Sequence, residues 1–313
     1  MTTRRWIETA GPLFGLLFVA IIFGVLIGPR FFSGTNLELI ARQTAIVCTV
    51  ALGMTMVIVS GGIDLSVGSV VALTTVVIAV LLRAGAGPSA AALAGIGAAA
   101  VCGLLNGILI TGLRVIPFIV TLGMMILVRG AAKGFADERR VEAPSTWIND
   151  LLRTVDPDSL MVVPAGIWLV VVLAFVVAGT LGYTRFGRHL FSIGSNERTA
   201  RLCGVSVERT KIGVYTASAV LVGVAGVLQF SRLSVGDPTI AAGLELDVIA
   251  AVIIGGGSLN GGRGSVLGTV LGASTMAVIS TGCAQQGLPN WVQQIVTGVI
   301  IVIAVALDRW RNR

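Results

Sequence analysis

Long apolar runs separated by short polar segments dominate the chain. Several runs reach the ~20 residues that a helix needs to cross a bilayer. They predict an all-α, polytopic membrane helix bundle with about ten transmembrane segments in a single domain, residues 1–313. The expected segments are residues 12–28, 44–60, 66–82, 89–111, 115–128, 162–181, 212–230, 246–256, 264–281 and 291–307.

Two glycine-rich interruptions of the apolar runs share the pattern G-x-x-[D/N]-x-x-x-G-S-V, at residues 61–70 and 257–266. Such breaks are costly in hydrocarbon because the freed backbone groups have no water to bond, so they persist where they are buried in protein or line a polar path. Paired interruptions in two halves of a chain indicate a transport pathway. The pathway candidates are Gly61, Gly62, Asp64, Ser66, Gly68, Asn106, Gly257, Asn260 and Gly264.

The polar candidates have two interpretations each. Asp64 either caps the helix that restarts after it or faces the substrate path, and Asn260 at the equivalent place favours capping. Asn106, in an apolar run, either bonds across helices or donates to a substrate hydroxyl. Glu245 and Asp247 are expected to begin a helix near the outer surface, where they cap it or contact a partner.

Composition supports a membrane protein. The chain is 55% hydrophobic and only 12% charged, whereas soluble domains are about 25% charged. The net charge of +7 does not indicate nucleic acid, because the basic residues are dispersed between apolar runs. The four cysteines lack ligand-like spacing and no Walker A sequence is present. No metal or cofactor is therefore expected, and energy must come from an ion gradient or a partner.

Loop charges predict the orientation. Residues 137–158 carry six acids against three arginines, and residues 183–211 carry six bases against two acids. The positive-inside rule places the first loop (138–160) outside and the second in the cytoplasm, with both basic termini also cytoplasmic. Each glycine break then follows an outside-to-inside segment, which predicts a parallel internal repeat.

The cytoplasmic loop 183–211 contains a predicted short helix. Ser195 or Asn196 can cap it, Glu197 lies in its first turn and Gly204 is a plausible stop. Such a helix is either a docking element for a soluble partner or an incidental feature of a basic loop.

Four stretches, residues 60–69, 106–123, 194–205 and 243–265, resemble the membrane permease subunit of bacterial ABC importers, in the ribose-type monosaccharide branch. Val115 and Ile116 before Pro117 depart slightly from that pattern. The resemblance implies a permease dimer in the inner membrane, two cytoplasmic ATPase subunits that bind the ATP, and an extracytoplasmic sugar-binding protein. It also implies that residues 194–205 form the coupling helix. The implied coupling residues are Gly194, Ser195, Asn196, Glu197, Ala200, Arg201, Gly204 and Val205.

Two alternatives stay open. A permease of the related branched-chain amino-acid branch is the closer one, and the length and residues 106–123 favour sugars. An ion-coupled secondary transporter would need no docking helix and would show more buried acids than Asp64. Neither is an enzyme, since no nucleophile–base or metal-ligand constellation is evident.

Overall fold

The computed structural model describes residues 2–154 and 163–311, which form thirteen α-helices, one 3-10 turn and two short strands. The elements are α1 (Thr2–Ile27), the 3-10 turn (Gly28–Phe32), α2 (Gly34–Val59), α3 (Val67–Arg83), α4 (Pro88–Leu113), α5 (Pro117–Phe135), β1 (Val141–Glu142), α6 (Trp147–Asp150), α7 (Ala165–Tyr183), α8 (Arg185–Ser195), α9 (Glu197–Leu202), α10 (Val207–Leu233), β2 (Val235–Gly236), α11 (Leu244–Ile254), α12 (Val266–Gln285) and α13 (Asn290–Arg311). The predicted helical class is confirmed.

Each of the ten expected segments coincides with a helix, but seven helical stretches are long and apolar enough to cross a bilayer. They are Gly11–Phe32, Gly34–Val59, Pro88–Leu113, Pro117–Phe135, Ala165–Tyr183, Val207–Leu233 and Val266–Gln285. Val67–Arg83 and Trp291–Ile303 are shorter apolar helices, and α11 has only 11 residues. Ten crossings and the parallel repeat therefore stay predictions.

Helix α2 begins ten residues earlier than the apolar run predicted. Ser33 caps it, since its side chain accepts from the Asn36 amide at 3.4 Å. The buried Asn36 side chain donates to the Phe31 carbonyl at 2.6 Å. The first turns of α2 contain polar residues, so they are not part of the apolar run from which the segment was predicted. The hydrogen bonds that stabilise these turns form only in the folded chain.

The cytoplasmic loop prediction missed a helix. Residues 185–195 form α8, in which Leu190 and Ile193 are buried while Arg188 and Ser192 are exposed. Thr184 caps α8 by accepting from the Gly187 amide at 3.1 Å. An amphipathic helix this short has no long apolar run, so a search for membrane segments passes over it.

Small residues bring the central helices together. Helix α2 is buried along most of its length and packs against α10, α11 and α12. Helix α4 meets α10 at glycines: a methyl group at Gly107 would lie 2.6 Å from the Ile212 Cα, and one at Gly223 would lie 2.9 Å from the Ile96 Cα. Close approach through small residues is how membrane helices gain packing energy.

At one end of the bundle, here called the strand end, β1 and β2 pair antiparallel with Val141 opposite Gly236. Helix α6 lies beside them, and the Asn149 side chain donates to the Ser234 hydroxyl at 2.9 Å. The predicted 138–160 loop thus contains β1 and α6, while its residues 155–160 lie outside the described residues.

Candidate functional site

The first glycine break reverses the chain between α2 and α3. Gly61 has a left-handed backbone, φ +79°, and the Gly62 amide donates to the Val57 carbonyl at 3.0 Å. The Tyr215 hydroxyl occupies the space that a side chain at Gly62 would need. The break is therefore packed within the protein, where its backbone groups find partners.

Asp64 stabilises the turn that follows. It is 2% exposed, and its Oδ1 accepts from the Ser66 amide at 2.9 Å and from the Ser66 hydroxyl at 2.6 Å. The Asn106 amide group donates to the Ser66 hydroxyl at 3.1 Å. Asp64 thus closes the turn just before α3, which begins at Val67 and has no side-chain cap of its own. The contact of Asn106 with Ser66 agrees with its cross-helix interpretation.

The same cluster joins four helices. The Ile63 carbonyl accepts from the Thr121 hydroxyl at 3.3 Å and from the Tyr215 hydroxyl at 3.4 Å. Together with Asp64, Ser66 and Asn106, these groups form what we call the Asp64 cluster. Among the described residues no cation pairs with Asp64, and Asn106 Oδ1 is buried without a hydrogen-bond donor. The cluster is thus held by neutral hydrogen bonds to one buried carboxyl group.

The second break, residues 255–265, is a tight turn. The Gly261 amide donates to the Ser258 carbonyl at 3.0 Å, and the Ser258 amide to the Arg263 carbonyl at 3.3 Å. Asn260 is exposed and does not cap α12, which corrects the expected equivalence with Asp64. Ser265 caps α12 instead, accepting from the Gly268 amide at 3.4 Å. The reason is spacing, because five residues separate Asn260 from the start of α12, whereas only two separate Asp64 from α3 and Asp64 closes the turn that leads into it.

The two breaks meet each other and the end of α8 at one point. The Gly262 amide donates to the Val59 carbonyl at 2.9 Å. A methyl group at Gly261 would lie 2.7 Å from the Gly194 carbonyl oxygen and 2.9 Å from the Gly61 Cα, and one at Gly194 would overlap the Val59 carbonyl. We call this contact the glycine junction and its side of the bundle the glycine end. Three distant segments touch there through backbone atoms.

Helix α9 follows the junction directly, and its predicted signals are observed. Asn196, not Ser195, caps it by accepting from the Thr199 amide at 2.9 Å. Gly204 ends it with φ +83°, and the Val205 amide returns to the Ala200 carbonyl at 3.0 Å. That bond is the one a left-handed glycine stop forms.

Ion pairs fix α9 to the start of α10. Lys211 lies 2.7 Å from Glu197, and Arg201 lies 2.6 Å from Glu208 and 3.6 Å from Glu197. Ala200 is buried against Ile193 and Val207, so its side chain faces the protein. Leu202 is 89% exposed and is the apolar side chain that α9 presents outward.

The strand end contains a third reversal that the sequence analysis did not single out. Asp237 is 2% exposed; its Oδ1 accepts from the Thr239 amide at 2.8 Å and hydroxyl at 2.6 Å, and its Oδ2 lies 2.7 Å from Arg140 Nε. Burial acts to raise the pKa of Asp237, but the hydrogen bonds from Thr239 and the Arg140 guanidinium outweigh it and lower the pKa below its usual value. Arg129 donates to the carbonyls of residues 238 and 240 at 2.9 and 2.7 Å. The sequence contained a signal for this contact. Arg129 directly follows an apolar run, and a charged residue in such a place marks a polar partner nearby.

From Asp237 the chain turns back into the bundle before α11 begins. The Ala241 carbonyl and the Glu245 carboxylate approach Gly68 near the start of α3, leaving no room for a side chain there. Glu245 therefore lies beside the start of α3, because the non-helical residues 237–243 carry the chain there from the strand end. The expected position near the outer surface stays a prediction.

The pathway candidates thus fall into separate places. Asp64, Ser66 and Asn106 belong to the Asp64 cluster, and Gly62 lies beside it against the Tyr215 hydroxyl. Gly61 belongs to the glycine junction, and Gly68 to the contact with Ala241. Gly264 packs on the Val59 side chain and Gly257 on Val252, while Asn260 is exposed.

Residues 36–305 match the family described as branched-chain amino acid transport system / permease component. The match covers most of the chain, and the chain belongs to this family of membrane permease components. It is a transport subunit and not a catalyst.

Several curated relatives are similar over nearly the whole chain. The Ribose import permease protein RbsC of Escherichia coli (strain K12) is 36% identical, covering 98% of this chain and 95% of the relative. RbsC of Bacillus subtilis (strain 168) is 37% identical, covering 97% and 94%. The Fructose import permease protein FrcC of Rhizobium meliloti is 35% identical, covering 96% and 85%. No solved structure matches.

Proposed function

We propose that this chain is the permease subunit of an ATP-driven importer for a ribose-like monosaccharide. The observation that carries the proposal is the similarity, over at least 96% of the chain, to permeases named for ribose and fructose. The family description names branched-chain amino acids, which keeps those amino acids as the second candidate substrate.

Two copies of the chain are proposed to pair in the bacterial inner membrane, with two cytoplasmic ATPases and an extracytoplasmic sugar-binding protein. The positive-inside rule supports a cytoplasmic glycine end, because the α8–α9 segment is basic, and the acidic residues near β1 and α6 agree with a strand end on the outside. Ten crossings leave both termini cytoplasmic when the non-helical residues 237–243 and α11 together count as one crossing.

The helix directions support the proposed parallel repeat. Both α2 and α11 end at the glycine end, and a glycine break follows each of them. Helix α12 starts at that end, whereas α3 starts deeper in the bundle, where Gly68 lies beside Ala241 and Glu245. The translocation pathway is proposed to pass between these broken helices, since the backbone there has alternatives to a continuous helical hydrogen-bond ladder.

Helix α9 is the proposed coupling helix, with Leu202 inserted into the ATPase. Its ion pairs with α10 connect it to the first turns of that helix. Gly194, one residue before the Ser195–Asn196 link to α9, touches both breaks. A displacement of α9 driven by ATP binding would therefore move both breaks together, because glycine-to-glycine contacts have no flexible side chain to absorb it.

Co-purification tests the proposal. The tagged chain, expressed in its native host membrane and gently solubilised, should bring an ATP-hydrolysing subunit with it. Leu202→Glu should lose that subunit while membrane insertion is normal, because it places a charge in an apolar contact. Ser192→Glu on the exposed face of α8 is the matched control and should retain the subunit.

The importer proposal would be contradicted if the chain purifies alone and supports uptake that an ionophore abolishes. That result would also move the protein to the ion-coupled class. If the subunit stays with Leu202→Glu, the importer survives and the docking role of α9 is wrong.

A further inference from the structure

A groove of about 450 Å³ lies between the start of α11, the last turns of α12 and the first half of α13. Its size falls within the ~300–1,000 Å³ typical of small-molecule sites. Five polar side chains line it: Asp247, Ser280, Gln293, Gln294 and Thr297. A single protein element does not produce this set, since it comes from three helices.

The position of the groove places these polar groups at membrane depth. Helix α11 starts inside the bundle beside Gly68, and Asp247 lies within its first turn. Helix α12 runs from the glycine end, so Ser280, about 14 residues into it, lies roughly 20 Å farther toward the strand end. The groove therefore occupies the half of the bundle nearer the strand end, which is the proposed outer side.

The polar groups of the groove have few partners within the protein. Among the described residues, no hydrogen bond or ion pair engages the Asp247 carboxylate, and Gln294 has none either. Gln293 donates to the Leu288 carbonyl at 2.9 Å, which leaves its carbonyl oxygen available. A carboxylate without a partner is costly in hydrocarbon, and intramembrane carboxylates mark substrate pathways by default.

The chemistry of the set matches a neutral polyol. An ionised carboxylate only accepts hydrogen bonds, whereas a carboxamide both donates and accepts, and a hydroxyl does either. A sugar presents several adjacent hydroxyls that donate and accept in the same way. None of the residues that line the groove is Lys, Arg or His, so an anionic ligand would find no counter-charge.

We propose that this groove is a low-affinity monosaccharide site on the translocation pathway, with Asp247 and Gln294 as its hydrogen-bonding residues. The proposal rests on the proposed importer function and names the place where the sugar first meets the permease. The groove is separate from the pathway candidates that the repeat pattern suggested. Asp64 and Asn106 already hydrogen-bond to Ser66 within the Asp64 cluster.

Uptake by the complete complex tests this site. Cells that express the permease with its ATPase and binding protein are given labelled ribose or fructose. Asp247→Leu should lower uptake at least about tenfold and Gln294→Leu about three- to tenfold, as expected when a site built for hydroxyls loses a partner. Asp150→Leu on α6, an exposed carboxylate at the strand end, is the matched control and should stay within twofold.

A second readout separates a binding role from a structural one. Gln294→Cys should react with a small water-soluble thiol reagent, and sugar with the binding protein should slow the reaction at least about threefold. ATPase activity stimulated by the loaded binding protein should persist in Asp247→Leu, because coupling does not pass through the groove.

Either of two results would overturn the site: uptake within twofold of wild type in both leucine variants, or labelling of Gln294→Cys that sugar does not change. A complex that imports labelled leucine and not sugar would overturn the monosaccharide assignment. Absence of any ATPase in the purified complex would instead contradict the proposed function.

Discussion

The two ends of the bundle hold their chain reversals by opposite means. At the glycine end, three segments meet through backbone atoms at Gly61, Gly194 and Gly261, and no side chain mediates the contact. At the strand end, Asp237 and Arg140 close the reversal through charged side chains, with Arg140 76% exposed. The backbone contact at the glycines leaves no room for an added atom, whereas a long exposed side chain can adopt another conformation.

Both reversals nevertheless use the same local device. Asp64 accepts from the amide and hydroxyl of Ser66 at 2.9 and 2.6 Å, and Asp237 accepts from those of Thr239 at 2.8 and 2.6 Å. Asp64 lies in a neutral cluster, while Asp237 also faces a guanidinium. The same local turn therefore occurs at both ends. The groups around it determine how much a substitution of the aspartate destabilises the protein.

The largest effect is expected at the glycine junction. Gly261→Ala adds a methyl group 2.7 Å from the Gly194 carbonyl and places alanine at φ +84°. The left-handed backbone costs about 1–2 kcal/mol and the overlap about 1–3 kcal/mol. Sugar uptake should fall more than tenfold, measured per permease in the membrane. Gly182→Ala in α7, where a methyl group meets nothing within 4 Å, is the control.

Asp64 variants should show an intermediate effect that depends on the acceptor and not on the charge. Asp64→Ala leaves the buried Ser66 groups without an acceptor, at about 1–3 kcal/mol, and should lower the melting temperature in detergent by several degrees. Asp64→Asn retains an acceptor oxygen and should keep most of the stability and uptake. Equal damage from both variants would mean that the charge itself is required.

Arg140→Gln should have a smaller effect at the strand end. Its ion pair with Asp237 involves an exposed partner, and such pairs contribute about 0.2–1 kcal/mol. Uptake should stay within twofold and the melting temperature should fall only slightly. A loss as large as that of Gly261→Ala would break the proposed contrast between the two ends.

The smallest effect is a pH dependence of stability. Because its pKa in the folded protein is lowered, Asp237 contributes stability that is fully present above its unfolded pKa of about 3.9 and is lost as the pH falls through the folded value. The difference in melting temperature between wild type and Asp237→Asn should be constant from pH 7 to 5 and shrink below pH 4. A difference that grows on acidification would contradict the direction of the pKa shift.

Local signals in the sequence sufficed for α9. Asn196 as cap, Glu197 in the first turn and Gly204 as stop act over neighbouring residues, so their hydrogen bonds follow from spacing. The same kind of reasoning failed for Asn260, where a motif match suggested a cap. The helix start lies farther on, and a turn stabilised by glycines lies between.

The sequence by itself determined the helical membrane class, the positions of the ten apolar segments and the short helix α9, because the bilayer demands apolar runs and caps are local. Only the tertiary structure revealed that Gly61, Gly194 and Gly261 meet, that Asp237 forms the counterpart of Asp64, and that α11 starts within the bundle. The glycine contacts join residues 67 to 200 positions apart, and Ala241 before α11 meets Gly68, 173 positions earlier in the chain. Their formation depends on how whole helices pack, which no short pattern of residues encodes.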